Sequence, residues 1–320
     1  MTITPGVGQS AACGGLDAGW IPGTDRGTNV KAAPFDYHAP PSVESAVALL
    51  ERFEREGLDT KVLAGGQSLM PMLNMRVARP QVLVDLGRIA ALDYIRSEGD
   101  EIVIGAMASK RAAEESALIR ERQPLFHAAT RLIGHRQIRN RGTVGGSFAH
   151  ADPAAEYPAV ALVQDMQMKA QGPNGVRLIA ANEFFVTYMT TSLEATEVLT
   201  EVRIPALPRG TGWSIKEFTR RHGDLAIAGV VATLRTARGR CEDVRISAFG
   251  VNATAVRLTA AERALNGQAP STEAFARAAA LGAESLEEPI GDVHATPDYR
   301  RQLVKVFTGR CLAEASARAT

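Results

Sequence analysis

Two short segments hold small residues of the kind that let a backbone come close to a phosphate. They are Ala64-Gly65-Gly66-Gln67-Ser68-Leu69 and, much later, Thr143-Val144-Gly145-Gly146-Ser147. Each pairs glycines with hydroxyl residues and reads as a turn that follows an apolar, β-prone run. Successive N–H groups in such a turn form a concave anion site, and the hydroxyl of Ser68 adds a donor. Neither segment is a P-loop, because no Gly-Lys-Ser/Thr follows, and neither has the Gly-x-Gly-x-x-Gly spacing of a Rossmann fingerprint. Either turn alone is also compatible with a tight bend that simply needs glycine. Two different turns facing one diphosphate point instead to a large dinucleotide held between two lobes.

The neighbouring residues fit binding better than catalysis. The basic run His135-Arg-Gln-Ile-Arg-Asn-Arg141 can face phosphates or stay solvated. Glu156 follows the second segment, where an acidic side chain suits ribose hydroxyls. His150 and Asp152 lack third and fourth partners at metal-ligand spacing, so no metal site is expected. There is no Gly-x-Ser-x-Gly elbow, and the six histidines have no evident nucleophile beside them. Binding groups without acid–base machinery imply that the chemistry belongs to a cofactor.

The elements that position these residues follow from pattern and caps. Order is expected from about Ala33. Ser42 caps a helix whose Val43, Ala46, Val47, Leu50 and Phe53 share one face, and Lys61–Ala64 is a strand leading into the first glycine segment. Gln81–Leu86 is a buried strand, and Tyr94–Arg96 with Glu101–Gly105 make a hairpin. Helical sequence runs from about 111 to 133, restarted at Pro124. Asp165–Ala170 and Val176–Ile179 form a second hairpin around Gly172-Pro-Asn-Gly175, and Val198–Ile204 is a closing strand. Pro205 to Gly212 is the linker. Beyond it, Val230–Leu234 and Val244–Gly250 pair as strands. Helices at 259–265, 271–286 and 297–315 follow, which makes a small α+β unit.

With 320 residues, 45% apolar and 22% charged, the chain has the composition of a globular protein of two or three domains. A net charge of +1 gives no reason to expect nucleic acid or a membrane surface as partner. Cys13, Cys241 and Cys311 are too scattered for a zinc knuckle, an iron–sulfur cluster or a disulfide framework, and a reducing, cytoplasmic compartment is expected. The sequence offers no membrane span and no secretory signal. Residues 1–30, rich in Gly, Thr and Ala, read as a flexible tail or a docking arm.

As a set, five motifs resemble the FAD-binding medium subunit of the molybdenum hydroxylases, the xanthine dehydrogenase and carbon monoxide dehydrogenase family. They are the stretch from Lys61 to Leu73, Gln137 to Ser147, His150 to Glu156, Glu197 to Pro205, and Lys216 to Arg221. The resemblance runs from about Val30 to Ala315. It implies a two-lobed α+β FAD-binding domain of the vanillyl-alcohol-oxidase (PCMH) type over 31–207, with lobes of about 31–88 and 89–207, and a C-terminal domain over 213–316. It implies that Ala64–Leu69 and Thr143–Ser147 hold the pyrophosphate and ribityl chain, with Glu156 near the adenosine or ribose. Ile133, Thr200 and Lys216 match further flavin-contact positions, and Tyr188 lies in the loop that approaches the ring.

Two departures are Ser147, where the second motif often ends in Asn, and Gln67, where relatives vary among His, Asn and Thr. Both side chains still hydrogen-bond. The expected partners are a large molybdopterin subunit and a small subunit with [2Fe–2S] clusters, in an αβγ heterotrimer or a dimer of such heterotrimers. In that arrangement FAD passes electrons from the clusters to an external acceptor. The extra four-cysteine cluster insertion of some relatives is missing. A stand-alone FAD-dependent oxidoreductase is the alternative.

Overall fold

The computed structural model describes residues 31–319. The expected tail or docking arm, residues 1–30, lies outside the described residues. The first lobe is a parallel sheet of β1 (Asp36–His38), β2 (Thr60–Leu63) and β3 (Val82–Asp85), in the order β1-β3-β2. Helix α1 (Val43–Arg55) connects β1 to β2 and starts where Ser42 puts it. The Ser42 Oγ accepts from the Ser45 N–H at 3.2 Å, while the Ser45 Oγ accepts from the Ser42 N–H at 3.1 Å, a capping box built from two serines. The apolar stripe of α1 packs on Val82 and Val84 of the middle strand. After the first glycine segment comes a short helix, α2 (Leu69–Asn74). Its proline, Pro71, gives no helical signal on its own, yet it sits in the first turn, where a missing N–H breaks no helical bond.

The second lobe is a five-stranded sheet. It contains β4 (Ile95–Glu98), β5 (Glu101–Gly105), β6 (Gln167–Gly172), β7 (Gly175–Ala180) and, between β5 and β6, β10 (Val198–Pro205), so the order is β4-β5-β10-β6-β7. Both hairpins form as expected. The strand expected to close the sheet is instead its centre, and the nearly unbroken burial of Val198–Ile204 is what a strand flanked on both edges and covered on both faces requires. A small ribbon of β8 (Phe185–Thr187) and β9 (Thr190–Thr191) follows the short helix α9 (Ala181–Phe184).

Between β5 and β6 lie the helices. The stretch expected from 111 to 133 is three pieces, α3 (Lys110–Glu115), α4 (Ala117–Arg122) and α5 (Pro124–Leu132). Ser116 adopts extended geometry and caps α4 through its hydroxyl. Then come α6 (Arg136–Arg141), α7 (Val144–His150) and α8 (Glu156–Val163). The second glycine segment is therefore not a turn after a strand, as the sequence suggested. It is the first turn of α7, with Thr143 as N-cap.

The C-terminal unit is an antiparallel sheet, β11 (Gly212–Phe218), β12 (Ala228–Ala237), β13 (Arg240–Phe249) and β14 (Val256–Arg257). One face carries α10 (Thr259–Leu265), α11 (Thr272–Glu284) and α12 (Pro297–Arg318). Ala228, Val230, Ala232 and Leu234 face those helices. Val231 and Phe249 join the core of the second lobe, and Trp213 and Ile215 pack against it. The sheet is thus covered on both faces, which is why β12 reads as a continuous apolar run. Strand β11 was missed from sequence, because its alternation of Trp213, Ser214, Ile215, Lys216 and Glu217 begins directly at the linker.

Candidate functional site

The two glycine segments meet. A side chain on Gly65 would put its Cβ 2.1 Å from the Arg141 carbonyl oxygen and 2.8 Å from the Gly142 Cα. The lobes therefore touch backbone to backbone at a position only glycine can occupy. Gly66 follows with φ +72°, the left-handed region that favours glycine. On the other side of the junction, a Cβ on Gly146 would lie 3.2 Å from the Ala64 Cβ.

This junction walls a cleft of about 740 Å³, within the roughly 300–1,000 Å³ of small-molecule sites. The first lobe contributes Leu63–Gln67, Met70 and Asp85, and the second contributes Met107, Ser109, Asn140, Arg141 and Thr143. Asp85 is fixed by the Tyr37 hydroxyl at 2.5 Å and the Gly87 N–H at 2.8 Å. Arg141 is exposed and forms no ion pair among the described residues. Arg139, from the same basic run, is committed elsewhere, to Glu114 at 2.8 Å.

The segments differ in what they offer a ligand. Among the described residues, the backbone N–H groups of Gly65, Gly66, Gln67 and Ser68 donate to no protein acceptor. The second segment uses its donors internally. Val144 N–H donates to Ala108, Gly145 N–H to Ala106, Gly146 N–H to the Thr143 hydroxyl and Ser147 N–H to Thr143. Unpaired N–H groups beside a cleft, a backbone approach no Cβ permits and a free guanidinium together suit a diphosphate.

The remaining expected contacts scatter around this centre. Ser68 is exposed and its side chain caps nothing, while Leu69 opens α2. Ser147 is half-buried on α7 and Val144 is core. Ile133 is buried at the end of α5. Thr200 is buried on β10; its hydroxyl donates to the Lys169 carbonyl, and its own carbonyl accepts from Ala106 beneath α7. Tyr188 is 56% exposed at the tip between β8 and β9. Lys216 is not brought to the lobes. It points to the helical face of β11 and pairs with Glu314 on α12 at 2.5 Å. Its neighbour Glu217 projects from the opposite face, toward the second lobe.

Glu156 opens α8 and is buried, which pushes its carboxyl up to about 7. Near it are Lys110, buried and pushed down to about 8 by desolvation, and Glu217, pushed up to about 8 by burial and by the Glu156 charge. Lys110 carried no signal in the sequence, being a lysine that opens a short helix, and Glu217, though inside the motif from Lys216 to Arg221, was not singled out because it sits on the unread strand.

The same two-part architecture identifies the chain. Residues 33–207 match the model of the FAD binding domain in molybdopterin dehydrogenase, and residues 213–315 that of the CO dehydrogenase flavoprotein C-terminal domain. The chain belongs to the molybdopterin dehydrogenase flavoprotein family. It is 41% identical to the carbon monoxide dehydrogenase medium chain of Hydrogenophaga pseudoflava, over 89% of this chain and 98% of that one. It is 40% identical to the nicotine 6-hydroxylase medium subunit of Paenarthrobacter nicotinovorans, over 90% of this chain and all of that subunit. Its fold superposes on the H. pseudoflava carbon monoxide dehydrogenase structure with a TM-score of 0.87 at 40% identity, covering 90% of this chain and 99% of that one. For quinoline 2-oxidoreductase of Pseudomonas putida 86 the TM-score is 0.85 at 34% identity, covering 90% and 99%. The chain is accordingly an FAD-binding subunit of an oxidoreductase, as its motifs implied. No helix among the described residues is long and apolar enough to cross a membrane.

Proposed function

We propose that this flavoprotein subunit holds FAD between its two lobes, with the diphosphate on the free N–H groups of the first glycine segment. In this reading Ala64–Leu69 and Arg141 take the phosphates. Thr143–Ser147 forms the opposite wall, and Glu156 accepts from a cofactor hydroxyl. Ile133, Thr200 and Tyr188 lie toward the ring. Lys216, paired with Glu314 on the far face of β11, supports α12 instead. The cofactor-holding unit spans about 31–207 and the C-terminal unit 213–316. The observation that carries the reading is the row of unpaired N–H groups facing a cleft closed by Gly65.

Bound FAD supplies two-electron chemistry between iron–sulfur clusters and an external acceptor. The protein's part is to bind and orient the cofactor and to shield it from water. The chain's partners are a large molybdopterin subunit and a small [2Fe–2S] subunit, in an αβγ complex or its dimer, and the complex works in the cytoplasm. The family's medium chains support this reading. The test is the absorption spectrum of the purified chain and of the complex. A flavin spectrum is expected, bleached when the complex meets its substrate. Protein that is colourless and cannot be reconstituted with FAD would overturn the proposal.

A further inference from the structure

Behind the second glycine segment lies a buried charge cluster that the diphosphate reading does not use. Lys110 follows Ser109, a cleft residue whose backbone bridges Thr143, and the Lys110 N–H donates to the Gly142 carbonyl at 2.8 Å. Its aliphatic stem packs at Gly142, as does the stem of Gln67. A Cβ on Gly142 would lie 3.6 Å from both. The residue is only 8% exposed, and among the described residues its ammonium has no ion-pair partner and no hydrogen-bond acceptor. It passes the Tyr157 ring at 6.0 Å and faces the charge of Glu156.

Glu156 in turn faces Glu217, which reaches in from β11 of the other domain. One Glu217 oxygen, Oε2, is closed off from solvent and has no hydrogen-bond partner. A buried carboxylate oxygen without a donor is costly. Glu156 thus lies between the Lys110 ammonium and the Glu217 carboxyl; one Glu217 oxygen is short of a donor, and the lysine's own donors remain unused. What completes such a set is a ligand that both donates and accepts at adjacent atoms, namely a vicinal polyol. Each hydroxyl can donate to a carboxylate and accept from the ammonium.

We propose that Lys110 and Glu217, together with Glu156, form the seat for a hydroxyl-bearing chain of the cofactor, so that the grip on FAD crosses from the lobes into the C-terminal domain. This rests on the reading of the cleft as the FAD site. The polyol is the ribityl chain or the adenosine ribose, which the test separates.

The full-length apo chain is titrated with FAD, with FMN (ribityl, no adenosine) and with ADP (ribose, no ribityl). Wild type is compared with Lys110→Met, Glu217→Ala and the near-isosteric Glu217→Gln. Failure of the wild type to bind FAD sinks the cleft reading itself. If wild type binds, Lys110→Met and Glu217→Ala are expected to weaken FAD roughly tenfold to a hundredfold, the range for a charged hydrogen bond, and Glu217→Gln less. Loss that extends to FMN but not ADP assigns the ribityl chain, and the reverse assigns the ribose. Unchanged FAD affinity in Glu217→Gln and Lys110→Met overturns the proposal. An equal loss for all three ligands, accompanied by a lower apo melting temperature, also overturns it, because that pattern belongs to a merely structural cluster.

Discussion

The two glycine segments look alike in composition and meet across one cleft, yet they do different work. Gly65–Ser68 keeps its N–H groups unpaired among the described residues, whereas Val144–Ser147 gives all of its own to the protein. The first is a donor loop. The second is a wall, a helix start fastened to Ala106 and Ala108, with a charged cluster behind it. Paired glycines thus mark close packing in both places, across the two lobes at Gly65 and within the second lobe at Gly145, but only the first segment leaves its N–H groups unpaired among the described residues. The hydrogen-bond inventory, not the motif, separates the two.

The largest effect expected from this contrast is at Gly65. Gly65→Ala places a methyl 2.1 Å from a carbonyl oxygen of the opposite lobe, and backbone cannot give way as a side-chain tip can. The variant should fold as two sound lobes that no longer close, and it should purify without flavin; normal flavin content would show that the junction is looser than described. Next is Arg141→Ala, which removes the free cation beside the donor loop. It should weaken FAD binding by roughly tenfold, and by less as salt rises. A loss that is the same at low and high salt would argue against a phosphate contact.

How much of this was legible in the sequence depends on how local the signal is. Helix α1, both hairpins of the second lobe and the three C-terminal helices announce themselves through caps, turns and periodicity within a few residues. The first glycine segment was read with its strand, since β2 runs directly into it. The second was misread as a turn because Val-Gly-Gly-Ser is poor helix sequence. It is helical because Thr143 caps it and Gly145 packs onto Ala106, where a Cβ would come within 2.4 Å. Central placement of β10 and the meeting of Lys110, Glu156 and Glu217 are facts of tertiary pairing. Missing β11 also hid which face its residues use: Lys216 turns toward α12 and Glu217 toward the second lobe.

The cluster behind the second segment gives a pH test of that wall. Burial raises the carboxyls of Glu156, to about 7, and Glu217, to about 8, above their ordinary value. Each therefore contributes stability that is complete below the ordinary glutamate range and is lost as pH rises through those values. Lys110, lowered to about 8, acts in the opposite direction, losing its contribution as pH falls through 8. The charged groups around them are Asp152, His150 and Arg139. Glu217→Gln in the apo chain should match wild type near pH 5 and melt higher near pH 8.5. A difference that does not change between those two pH values would remove Glu217 from the buried cluster.

The smallest effects come from the hydroxyls that open the two helices, and they test the contrast most directly. The Thr143 Oγ1 accepts from the Gly146 N–H at 3.1 Å, a capping bond whose loss typically costs about 1 kcal/mol. Ser68 stands at the corresponding place before α2 and makes no such bond. Thr143→Ala should therefore lower the apo melting temperature. Ser68→Ala should leave it within the range of surface changes, about ±0.5 kcal/mol, while weakening FAD through the lost hydroxyl beside the free N–H groups. The two variants are thus expected to separate stability from binding, Ser68→Ala moving FAD affinity without the melting temperature that Thr143→Ala lowers. If Ser68→Ala destabilises the apo chain as much as Thr143→Ala does, the first segment is a cap like the second and the division between donor loop and wall fails.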